Sequence, residues 1–120
     1  MISPQSEGST DTPYPGVERT TRDGAHATIV EYRFAPGASF PRHHHPQEQS
    51  TIVLEGRVEL ECEGEFRVLE AGDWVCTEAG ERHGISVHDA PARFLIVIAP
   101  PRARGESPQL DDTRNPGASA

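Results

Sequence analysis

The sequence predicts a small all-β domain, an antiparallel barrel or sandwich. Three observations carry this expectation. Apolar residues recur with a period of two rather than the helical period. Gly and Pro interrupt the chain every eight to twelve residues. No segment of helical period is long enough to form a helix.

Ala27 to Phe34 reads as a strand, because β-branched and aromatic residues dominate it. Pro41 and Pro46 bracket His43 to His45 and hold that stretch extended. Ser50 to Leu54 is the next strand, closed by a turn at Glu55-Gly56. Arg57 to Cys62 alternates strictly, with Val58, Leu60 and Cys62 on one face and Glu59 and Glu61 on the other. Glu63-Gly64 turns the chain into a strand from Glu65 to Leu69. Turns at Ala71 to Asp73 and Ala79 to Glu81 bracket a strand from Trp74 to Thr77. His83 to Val87 and Arg93 to Ala99 complete the series. Cys62 and Cys76 read as small buried apolar residues.

The 120 residues make one domain. Residues 1–13 and 101–120 read as tails: nearly devoid of apolar residues, they bury too little surface to offset chain entropy. The folded part spans residues 14–100. All 11 basic residues are Arg, against 19 acidic ones, a formal net charge of −8. Such a field repels phosphate backbones and anionic bilayers, so no nucleic-acid or membrane partner is expected. No apolar run approaches the ~20 residues that cross a bilayer. The N-terminus lacks the basic start and apolar stretch of a secretory signal. A cytoplasmic chain with both cysteines reduced is the expectation. The absence of Lys excludes a side-chain Schiff base and a Walker A loop. No Gly-x-Ser-x-Gly elbow is present, which argues against nucleophilic hydrolysis.

The chemistry concentrates in His43, His44 and His45. On an extended chain His43 and His45 point one way and His44 the other, so the first and third can meet one ion. Gln49 follows after a short turn, and His83 opens a later strand after Gly80. Three imidazoles and one oxygen donor suit divalent Fe, Ni, Mn, Co, Cu or Zn. Taken singly, each has a plainer reading: a His pair on an exposed strand, and a turn residue at His83. His26 and His88 have no partner at suggestive spacing and read as solvated.

The spacing resembles the cupin superfamily. Gly37, His43, His45, Gln49 and Gly56 match the spacing of its first motif, with Gln49 where the family usually has Glu. Gly72, Glu78, Gly80, His83 and Val87 match its second, with Glu78 in place of Pro and Val87 in place of Asn. The resemblance covers Gly37 to Val87. It implies a double-stranded β-helix, or jelly roll, with a divalent metal in the barrel mouth held by His43, His45, Gln49 and His83. Glu48 is the fallback oxygen donor, but it sits one residue too near His45 for the family spacing. The string His45-Pro46-Gln47-Glu48-Gln49 also resembles small single-domain cupins, some of which open unsaturated uronates into linear keto-sugars.

An amide oxygen subtracts no charge from a bound cation, which leaves the cation more electrophilic. Alternation from Gln49 and His83 predicts a mostly apolar pocket wall of Thr51, Val53, Ile85 and Val87. No strong general base falls in that pocket. The catalytic group is therefore left as a metal-activated water or the substrate's own ionised oxygen. These features favour a redox-neutral isomerase, cyclase or lyase acting on a small oxygenated metabolite. A metal-dependent dioxygenase and a non-catalytic sugar- or metabolite-binding module are the alternatives. A folded part of this size is marginal alone, and an open jelly roll leaves sheet edges, so a homodimer is expected.

Overall fold

Alternating inward and outward side chains build eleven strands among the described residues of a computed structural model, which are Ile2, 8–102 and 109–110. They are β1 (Ser9–Tyr14), β2 (Val17–Asp23), β3 (Thr28–Phe34), β4 (Ser39–His44), β5 (Glu48–Glu55), β6 (Arg57–Cys62), β7 (Glu65–Glu70), β8 (Trp74–Thr77), β9 (His83–Ser86), β10 (Ala92–Ala99) and β11 (Gln109–Leu110). One sheet has the order β1-β2-β3-β10-β5-β8 and the other β11-β4-β9-β6-β7, and every strand pairing is antiparallel. From β3 to β10 the chain changes sheet at each connection except the β6–β7 hairpin. This is the jelly-roll order, and it gathers one end each of β4, β5, β9 and β10 at the same mouth. No described helix is long and apolar enough to cross a membrane.

The sheets close on a core in which each strand contributes alternate residues. β10 buries Ala92, Phe94, Ile96 and Ile98, and β3 buries Val30, Tyr32 and Phe34. Four aromatic rings interlock there: Tyr32 stacks on Phe94 at 5.3 Å, and Phe34 and Phe40 meet this pair edge-on. Their burial is the main source of stability, since apolar area removed from water contributes about 25 cal/mol per Å².

Two features depart from the sequence reading. Residues 9–13, expected within a tail, join Tyr14 in forming β1, and the unanticipated β2 joins it to β3. Polar residues suffice on β1 because its side chains are largely exposed and its backbone is satisfied by pairing. Residues 103–108 and 111–120 of the other expected tail lie outside the described residues, as do 1 and 3–7, while Gln109–Leu110 pairs with His43 and His44. Cys62 is only half-buried and Cys76 is exposed, against the expectation for both; the two thiols are free. Cys76 falls on the outward face of the edge strand β8, where parity overrides residue preference.

The tight β5–β6 connection depends on Gly56, whose φ is +80° and which lies against the start of β10. A Cβ there would meet the Pro91 carbonyl oxygen at 2.4 Å, whereas at Gly64, with φ +88°, it would meet nothing within 4 Å. Gly64→Ala should therefore cost only the left-handed penalty, about 1–2 kcal/mol. Gly56→Ala adds a backbone clash and should cost clearly more; equal urea midpoints for the two variants would contradict the packing described.

Candidate metal centre

Strand parity alone would not place the histidines inward, because Phe40 and His43 are three residues apart and both are buried. The β4–β9 register shifts between them, so Pro41 and Arg42 form an irregularity that re-aims the chain. Gly84 makes room for it: a Cβ there would approach the Arg42 backbone at 3.3 Å. His43 then pairs across with His83, and β5 brings Gln49 opposite Ile98 of β10. His43, His45, Gln49 and His83 are all buried, whereas His44 is half-buried and Glu48 is exposed.

The three imidazoles are oriented in the same way. Each Nδ1 donates to a backbone carbonyl two residues away: His43 to Pro41 at 2.8 Å, His45 to Gln47 at 3.1 Å and His83 to Glu81 at 2.9 Å. A neutral ring protonated at Nδ1 carries its lone pair on Nε2. The ligand atoms of the three rings lie within 4.8 Å of one another. Gln49 Oε1 sits 2.9 Å from His45 Nε2 and 3.1 Å from His83 Nε2, while Gln49 Nε2 donates to Thr51 Oγ1 at 3.2 Å. Lone pairs thus face lone pairs at hydrogen-bond distance. Burial, then His83, holds His43 down to about 3, so its Nε2 lone pair stays unprotonated at neutral pH and joins the repulsion. A cation relieves it directly. The donor set of imidazole nitrogens and one amide oxygen therefore fits a divalent transition metal, and carbonyl-anchored Nδ1 groups are the usual support for such ligands.

A cavity of about 60 Å³ opens onto this cluster. Of the residues expected on its wall, Ile85 lines it. Thr51 instead lies under Gln49 and bonds to its amide, and Val53 and Val87 belong to the hydrophobic core, at 1% and 3% exposure. The wall is built largely by β3 and β10, through Val30, Tyr32, Phe94, Ile96 and Ile98, with Arg19 of β2 and Arg102 beyond β10. The apolar alternation of β10 could have pointed to Phe94, Ile96 and Ile98. Nothing in the polar string of β2 pointed to Arg19. His26 is exposed, and His88 faces solvent with Glu59 3.5 Å away.

The thiol nearest the centre, Cys62, sits across from His83 in the β6–β9 ladder. Burial, then Glu81, Glu63 and Glu61, pushes it up to about 11. It is a poor nucleophile at neutral pH. Iodoacetamide at pH 8 should alkylate Cys62 tens of times more slowly than an unshifted thiol, with the rate rising about tenfold per pH unit toward pH 10. Peptide mapping of the alkylated protein checks this, and rapid flat kinetics at Cys62 would contradict it.

The cupin domain family model matches residues 30–98. Among solved structures, KdgF from Halomonas sp. is similar at 25% identity and a TM-score of 0.74, over 84% of this chain and 94% of that one. An RmlC-like cupin from Shewanella frigidimarina is similar at 22% identity and a TM-score of 0.77, over 88% and 95%. Oxalate decarboxylase from Lactobacillus farciminis aligns at 21% identity and a TM-score of 0.79, covering 92% of this chain but 37% of that one. Comparison with curated proteins finds no match. With more than half of its length matched and the jelly-roll order in place, the chain belongs to the cupin domain family.

Proposed function

We propose that this cupin is a metal-dependent enzyme that converts a small oxygenated metabolite without net redox change, as an isomerase, cyclase or lyase. The observation that carries the reading is Gln49 Oε1 set among the imidazole nitrogens, with no carboxylate beside it among the described residues. A divalent cation held by His43, His45, Gln49 and His83 would supply Lewis acidity toward a carbonyl or enolate oxygen of the substrate. A neutral donor set stabilises a higher oxidation state poorly, which favours redox-neutral chemistry over oxygen activation.

The chain's own groups fit the remaining tasks. The carbonyls of Pro41, Gln47 and Glu81 fix the ring orientations, so the site is organised before substrate arrives. Phe94, Ile96 and Ile98 exclude water from the cavity and strengthen electrostatic interactions within it. Tyr32 is held above the usual phenol range, mainly by burial, so at neutral pH it stays protonated and offers an O–H donor. Exposed Trp74 on β8 and Phe66 and Val68 on β7, strands that end the two sheets, support a homodimer. A sedimentation mass of 13.1 kDa would remove that part of the reading. Two free thiols accord with a reducing, cytoplasmic setting.

Cobalt titration followed by visible absorption tests the centre. One ion per chain is expected, with affinity falling on the order of 100-fold or more in His45→Ala and His83→Ala. Gln49→Glu should bind cobalt about tenfold more tightly or better, because it adds a charge beside the cation. Unchanged affinity in the His variants would sink the reading. Turnover, once a substrate is in hand, should persist without oxygen; its loss there would move the chain to the dioxygenase class.

A further inference from the structure

The cavity lining is uneven in charge. Among the described residues no Asp or Glu lines it, whereas Arg19 and Arg102 do. With an amide and three imidazoles as the donor set, these two Arg are the charged residues of that described lining. We propose that the substrate is a small carboxylate whose carboxylate group is bound by Arg19, while its second oxygen function turns toward the histidine cluster. This deepens the reading of the cavity as a metal-dependent active site and rests on it.

Arg19 is built for this role. Its Nε and Nη2 donate to Asp11 Oδ1 and Oδ2 at 2.9 and 2.6 Å. A guanidinium has five donors in one plane. Asp11 occupies one edge of that fork, which leaves the Nη1/Nη2 edge for another flat acceptor. Asp11 is half exposed, whereas the Arg19 side chain is mostly covered. The outer carboxylate therefore fixes the orientation of the guanidinium. Tyr32 pairs with Arg19 across the β2–β3 ladder and lines the same cavity, so an arriving oxygen meets an N–H fork and a phenol together. Arg102 adds positive charge nearby and is pinned by Asp23, at 3.0 and 3.2 Å, and by Thr28.

The two ends of the site come from opposite sheets. Arg19 stands on β2 of the six-stranded sheet, whereas His43 and His83 stand on β4 and β9 of the five-stranded one. Between them the wall is apolar. The cavity volume of about 60 Å³ suits a compact ligand.

Calorimetric titration of the cobalt-loaded full chain with 2-hydroxybutanoate and with 2-hydroxybutanamide decides the matter, because the two differ in charge and hardly in size. The acid should bind about tenfold more tightly or better than the amide. In Arg19→Met that gap should close, with cobalt affinity unchanged. Should the single variant fail to fold, D11N/R19M removes the exposed ion pair as a unit and permits the same comparison. Equal binding of acid and amide by the unsubstituted chain overturns the proposal, as does a gap that survives the loss of Arg19, which would assign the preference to the cation. Inorganic phosphate should not displace the acid at equal concentration; displacement would replace carboxylate by phosphate as the ligand. A chain that binds cobalt without preferring the acid loses this inference and keeps the metal reading. A chain that binds no cobalt loses the metal reading, and the acid–amide pair on the metal-free protein then decides this one.

Discussion

Four neutral donors aimed at one point form the constraint around which this molecule is organised. Three imidazoles are locked in the same tautomer by backbone carbonyls, and the Gln49 oxygen completes the set. Left to themselves, these lone pairs repel. The barrel holds them together through the surrounding core, in which Phe34, Phe94 and Tyr32 are buried. The irregularity at Pro41–Arg42 and the missing side chain at Gly84 belong to the same device: they aim His43 inward without breaking the sheet.

The electrostatics run against the composition. The chain has a net charge of −8, yet among the described residues the charged groups lining the cavity belong to Arg19 and Arg102. Asp11 and Asp23 hold those groups in place from partly exposed positions. The interior therefore presents an uncharged cradle at the histidines and positive charge at Arg19 and Arg102. A small molecule with an anionic group and a chelating oxygen matches both.

Much of this was legible in the sequence. Strict alternation in Arg57 to Cys62 and in β10, with Gly and Pro between strands, was enough for the all-β architecture. The spacings from Gly37 to Gly56 and from Gly72 to Val87 carried the family resemblance, and the structure brings His43, His45, Gln49 and His83 to one place. Less legible was whatever depends on long-range pairing. β1 and β2 are polar strings that become strands only because β3 offers an edge. Arg19 enters the cavity through that pairing, so no local signal could reveal it. Parity from Gln49 and His83 marked inward residues correctly, since Thr51, Val53, Ile85 and Val87 are all buried. It could not tell which of them face the cavity and which fill the core below it, because that depends on depth along the barrel.

X-ray absorption at the cobalt edge of the loaded protein reads the ligand set itself. Three imidazole nitrogens with their characteristic outer-ring scattering, together with further oxygen or nitrogen neighbours and no sulfur, are the predicted first coordination sphere. Fewer than three imidazoles around the ion, or a sulfur neighbour from Cys62, would contradict it.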